Sequence, residues 1–467
     1  MQRYIIRMFA DEWRQWVPAV AVVAVIATMI GLCVHQFAWT SDPQFRAAVV
    51  AAGVPLDEFR ILSVTIYTVI ALVSWVALTV VGRASVQATR RAHALWLLLG
   101  ASPSTVFLST LLVLAVVSVC GAVVGALAST LLSFWAVPAF NAEVSPAVNL
   151  PGFVIVPWAP VAIIVLSVVT AMVGGLLPAR RASRTPPSVA LRSPEGSGRR
   201  SIVTVFRIVC SVFFLLVAGG LVVAAGFSSQ LGSTSPGSMF NLAVDAGGSA
   251  LIAVYLLCPQ IVAFIFWILN GIFSRSGAVV PALGTRAAAA RVQASATTIA
   301  PLAAGLGGIG LLLCAVNSVV AVTEALQPGT QTDLTDVWTI VAVVAVSMLA
   351  TSAAVVSLSA RGRGREIALL QAAGMQTRQI GTLIASESFA IALAASITAA
   401  VPVAVGGIVC VLVSKAALGN SSVVVWPVPA MLLGLVAAWI VIFLILLAPA
   451  ITPLRDGPGA QLREQGV

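Results

Sequence analysis

Few side chains in this sequence could do chemistry. The only lysine, Lys415, sits in VSKAALG, whereas a phosphate-cradling P-loop needs a lysine behind a glycine-rich turn. Hydrolysis of ATP by such a loop is therefore excluded. Two histidines, His35 and His93, have no Ser/His/Asp arrangement around them and read as ordinary interfacial residues. Six cysteines (Cys33, Cys120, Cys210, Cys258, Cys314 and Cys410) lie singly in apolar runs. That spacing fits neither metal ligands nor a disulfide framework and reads as small packing residues. Glu387 is the one acid expected inside a long apolar run. An intramembrane acid is a functional hypothesis by default; this one lies near the start of its run, where it reaches the interface or pairs with an arginine.

What remains is a stretch that occurs twice. Arg91, Ala94, Leu95, Gly100 and Val106 recur as Arg365, Ala368, Leu369, Gly374 and Ile380, at a constant offset of 274. The first copy runs Arg90, Arg91, His93, Ala94, Leu95, Trp96 to Gly100. The second runs Arg363, Arg365, Glu366, Ile367, Ala368, Leu369, Leu370 to Gly374. Each reads as a short basic amphipathic helix stopped by a glycine, which can take φ > 0 just past a helix end. One such helix could simply lie on a membrane. Two at equivalent positions call for a shared partner that docks on both.

The elements that must position these helices follow from composition. With 60% hydrophobic residues, 9% charged residues and a mean hydropathy of +1.07, the chain is expected to be an all-α polytopic membrane protein. Ten apolar runs are each long enough, at about 20 residues or more, to cross a bilayer. They fall near 16–37, 61–81, 106–134, 153–177, 204–227, 250–273, 299–322, 337–358, 380–413 and 429–448. With both termini cytoplasmic, 22 of 25 basic residues lie inside and only Arg46, Arg60 and Lys415 outside, while eight of fifteen acids lie outside. That bias is the positive-inside pattern. The net charge of +10 is thus a topology signal, and no nucleic-acid partner is implied.

Six spans separate the two repeat starts, an even number, so the repeats enter the membrane in the same sense, as parallel repeats do. The expected divisions are an interfacial amphipathic helix at 1–15, a four-span repeat at 16–200, a two-span linker at 201–275 and a second four-span repeat at 280–467. A weaker introductory segment, LGTRAAAARVQAS, precedes the second repeat. The inner connection after the fourth span carries a basic motif with Pro178, Arg180, Arg181 and Arg192, and its prolines argue against one continuous helix. A worn copy runs from Pro449 to Arg463. Small residues four apart, Gly121 with Gly125 and Ala304 with Gly308, mark close helix packing; Ala395 and Ala399 match the first pair. Outer loops are too short for a folded external domain.

These motifs resemble the FtsX-like permease family of ABC transporters. The family pattern R-x-x-E-x-A-x-L-x-x-x-G is met by Arg363, Glu366, Ala368, Leu370 and Gly374. The first copy keeps Ala94 and Gly100 but has Thr89, Ala92 and Trp96 at the basic, acidic and leucine positions. The PARRA…ALR signature stands at Pro178 to Arg192. The ten-span arrangement is most similar to bacitracin-resistance permeases, without their large extracellular domain. The resemblance implies a bacterial plasma-membrane permease whose partner is a cytoplasmic ABC ATPase homodimer, two subunits per chain, that binds ATP and Mg while this chain holds no cofactor. It implies export or extraction of an amphipathic lipid, peptide or drug-like molecule, reached through the surrounding membrane lipids. A non-transporting subunit that passes ATPase motion to another membrane or extracellular partner is the alternative.

Overall fold

The computed structural model describes residues 13–52, 96–100, 102–144, 151–184, 202–230, 236–275, 279–290, 292–328, 363–419 and 421–456, with scattered helical positions between 337 and 356. The described secondary structure is helical, and eight of the helices are long and apolar enough to span a membrane. They correspond to the expected spans one, three to seven, nine and ten. Span two lies outside the described residues, and span eight is described only in part. The chain is an all-α polytopic membrane protein.

By contact it forms two compact units, Met1–Ser197 with Trp338–Leu358, and Gly198–Val337 with Ser359–Val467. The eighth span therefore packs in the first unit although its neighbours in sequence belong to the second. Its described buried positions, Val344, Met348, Ser352 and Val356, recur every four residues, which sets them in one stripe along a helix.

The first unit is built on α1 (Trp13–Thr40), α3 (Pro103–Val144) and α4 (Trp158–Arg184), with the short α2 (Pro43–Ala51) beyond the end of α1. Its core joins Val22, Val23 and Ile26 of α1 to Val113 and Val117 of α3 and Ala171 of α4. Helices α1 and α3 run parallel, and Gly121 and Gly125 set their spacing. A Cβ on Gly121 would lie 2.8 Å from the Val20 carbonyl oxygen, and one on Gly125 would be 3.0 Å from Thr28 N and closer to the Ala24 carbonyl oxygen. Without a hydrophobic driving force between helices in lipid, such backbone approach is what packing there depends on. The Thr28 hydroxyl donates to Ala24 O at 2.8 Å and reaches Gly125 O at 3.4 Å.

The second unit holds α5 (Ile202–Gln230), α6 (Pro236–Arg275), α7 (Val279–Ala290), α8 (Val292–Leu326), α9 (Arg363–Ala372), α10 (Thr377–Ala417) and α11 (Val428–Asp456). Helix α10 is its hub, packed by α5, α6, α7, α8 and α11. Helices α8 and α10 are parallel: Gly307 faces Ala399 and Pro402, and Gly310 faces Val403. At the repeat offset Ala399 is the counterpart of Gly125. The same helix pair is thus built twice, with the contact glycine moved from the third span to the first.

Several helices outrun their apolar segments. At 1.5 Å per residue, the 40 residues of α6 and the 41 of α10 are about twice the length a hydrocarbon core requires. Helix α6 starts at Pro236, well before the expected position near 250, and takes in exposed Asp245. Glu387 is therefore not the only acid on a spanning helix; hydropathy marks the lipid-immersed part and misses its polar extension. Likewise α4 continues through Pro178 to Arg184. Trp13 to Gln15 form the first turn of α1, and residues 1–12 lie outside the described set.

Candidate functional site

The two glycine stops share a local design. Gly374 takes φ +93° and Gly100 φ +89°, in the left-handed region that side chains avoid. At the end of α9, Gly374 N donates to Gln371 O at 2.9 Å and Met375 N to Leu370 O at 3.0 Å. Together these are the paired bonds of a Schellman stop. At the first site Gly100 N donates to Leu97 O at 3.2 Å, the first of the same two bonds.

Two residues after each glycine the next span begins on a cap. The Ser102 hydroxyl accepts from Thr105 N at 3.2 Å, while Gln379 Oε1 accepts from Gln376 N at 3.0 Å. Ser102 and Gln376 stand 274 apart, as do Thr105 and Gln379. Both caps occupy orphan amides of a helix start. The stop and restart are therefore tight, with a single residue between each glycine and the cap of the long helix that follows, α3 or α10.

The apolar side chains of the stops are not hidden. Leu98 and Leu99 are 59% and 85% exposed, and Leu369 is 52% exposed, while Ile367, at 5%, faces inward. Helix α9 rests on α11, so it has one anchored side and one open side. Trp96 and Leu370 are half-buried. Arg363, Arg365 and Glu366 lie in the α9 backbone, whereas Arg90, Arg91 and Leu95 fall outside the described residues. Of the basic motif, Pro178, Arg180 and Arg181 lie in the last two turns of α4, with Arg180 exposed; Arg192 is outside the described set. Gly121 and Gly125 meet α1, Ala304 lines a cavity against α6 and α10, and Gly308 is buried.

A stop-and-restart motif repeated at one offset, open on its apolar side, makes a duplicated unit the natural thing to compare. A family model described as FtsX-like permease C-terminal matches residues 64–187 and again 337–458. The chain belongs to the FtsX-like permease family. The two matched regions begin 273 residues apart and end 271 apart, close to the offset that superposes Gly100 on Gly374. Each contains one glycine-stopped helix and the span that follows it. FtsX-like permeases are membrane components of ABC transporters, work with cytoplasmic ABC ATPases and are generally not catalytic themselves. No curated protein matches the chain.

Three features of this permease escaped sequence reasoning. Helix α7 docks on α10, where a Cβ on Gly284 would lie 3.1 Å from Leu383 O and 3.3 Å from Glu387 N. Glu387 is 4% exposed there, enclosed by protein. Second, Trp439 of α11 donates from Nε1 to Ala385 O at 3.2 Å and meets Phe389 edge-on. Third, the extended segment before the fourth span of each repeat lays an aromatic ring on the bundle end. Phe153 meets Trp39, Phe134 and His35, and Trp426 covers Gly407. An aromatic just ahead of a terminal span was the available signal for the third; the first two depend on tertiary contact.

Proposed function

We propose that this permease is the membrane subunit of an ABC transporter that exports or extracts an amphipathic substrate, such as a lipid, a peptide or a drug-like molecule. An ATPase homodimer, with one subunit on each glycine-stopped helix, supplies ATP and Mg. Both termini lie on the ATPase side. The observation that carries this reading is the pair of tight stops whose leucines, Leu98, Leu99 and Leu369, are open to contact. Each stop presents exposed leucine close to its glycine, Leu98 and Leu99 at one and Leu369 at the other, and two such surfaces suit a dimeric partner; Leu95, the repeat counterpart of Leu369, lies outside the described residues. Because only one residue separates each glycine from the cap of α3 or α10, a push on the short helix is delivered directly to a span.

The test is co-purification of the full chain with a co-expressed P-loop ATPase. Leu95→Glu and Leu369→Glu are expected to lose binding and the stimulation of ATP hydrolysis. Unchanged binding and stimulation in both variants would refute the docking assignment. Stimulation by a lipid or cationic peptide supports transport. Its absence, together with retained binding of a second membrane protein, favours a subunit that only transmits motion.

A further inference from the structure

Within the second unit α6, α8 and α10 enclose a small cavity lined by Leu251, Val254, Tyr255, Cys258, Ala300, Ala303, Ala304, Thr398 and Pro402. Each of these helices carries an interior proline: Pro259 in α6, Pro301 in α8 and Pro402 in α10. All three fall at the cavity. Pro402 is part of its wall, Cys258 precedes Pro259, and Ala300 precedes Pro301. A proline has no amide proton for the carbonyl four residues back and its ring crowds that carbonyl, so the helix bends most easily there. For Pro259 and Pro402 those carbonyls belong to Tyr255 and Thr398, both wall residues. Three helices are thus weakened beside one small cavity at staggered levels, Cys258 reaching Ala296 O and Pro402 meeting Gly307 further along α8.

One end of the cavity is closed by tight packing: a Cβ on Gly307 would be 3.0 Å from Pro402 Cγ and 2.9 Å from Leu251 Cδ1, both wall residues, and beyond them the Leu311 side chain is wedged between Gly247 of α6 and Gly406 of α10. Close-packed segments move as blocks, and compliance concentrates where contacts are missing. The first unit is built differently: at the repeat offset the counterpart of Pro402 is Ala128, so α3 keeps its helical bond where α10 loses one.

We propose that Pro259, Pro301 and Pro402 form a staggered hinge on which the part of the second unit nearer the starts of α8 and α10 swings against its close-packed remainder, opening the cavity beside them. The inference stands apart from the docking assignment, since it concerns motion within one unit of the isolated chain.

Cys258 is a built-in reporter: it lines the cavity, is 2% exposed, and its thiol lies 3.8 Å from Ala296 O. Full-length variants that retain only Cys258, only Cys314 or only Cys120 would be reconstituted in nanodiscs and treated with methyl methanethiosulfonate. Cys314 is as buried but lies beyond the hinge, and Cys120 is exposed on α3. Cys258 is expected to react at least tenfold faster than Cys314. Pro402→Ala should slow it several-fold while leaving Cys120 unchanged, and Pro259→Ala should act in the same direction. Equal rates at Cys258 and Cys314 would overturn the hinge. So would a Cys258 rate that neither proline variant alters while Cys314 stays slow, as it must in an intact second unit.

Discussion

Replacing Gly125 by alanine tests whether backbone contact between α1 and α3 holds the first unit together. The new methyl would meet the Ala24 carbonyl oxygen, Ala27 Cβ and Thr28 N. Two of those atoms are backbone, so no rotamer change relieves the clash and α1 must retreat over several turns. Overpacking of this kind costs about 1–3 kcal/mol, and the rigidity of the neighbours puts Gly125 in the upper part of that range. Alanine returns roughly 1 kcal/mol as a better helix former. The net loss is then about 1–2 kcal/mol, roughly a 5- to 30-fold rise in the unfolding constant.

Gly219→Ala on α5 is the matched control. Nothing lies within 4 Å of its added Cβ, so only the propensity gain of up to about 1 kcal/mol remains. Both variants of the full chain would be unfolded in mixed micelles of mild detergent and dodecyl sulfate, followed by tryptophan fluorescence. Opposite shifts are expected. If Gly125→Ala is as stable as the parent, or if both variants shift alike, the close approach is not a determinant of stability.

Other outcomes follow from single contacts. Gly374→Ala has open space around the methyl but must hold φ near +93°, costing about 1–2 kcal/mol, read as a lower melting temperature with faster proteolysis of α9. Trp439→Phe keeps a ring against Phe389 but loses the bond to Ala385 O, a loss of about 0.5–1.5 kcal/mol measurable in the same micelle titration. Thr28→Val removes the hydroxyl shared between Ala24 O and Gly125 O; polar contacts between membrane helices average about 0.6 kcal/mol, so its effect should be smaller than that of Gly125→Ala.

The described spans and the duplication were legible because both are written in local signals, runs of apolar residues and a glycine at a fixed offset. Gly100 and Gly374 could be assigned to helix stops because φ > 0 is nearly their own conformation. Helix ends were less legible: α6 begins far earlier than its apolar run, since a helix continues into water where hydropathy no longer reports it. Packing partners were hidden. Nothing local in 337–358 says that it joins the first unit, nor that Pro259, Pro301 and Pro402, far apart in sequence, meet around one cavity.

Helix α10 is sheathed by α5 and α6, whereas its twin α3 turns Val124, Leu127, Leu131 and Trp135 outward. A sheathed rod answers to its protein neighbours, and one with an open face answers there to lipid. Thr398 and Pro402 sit on the sheathed rod; at the repeat offset α3 has Val124 and Ala128, both exposed. The copy covered by two further helices is thus released from the demand for oiliness, and residues peculiar to this permease should be sought there first.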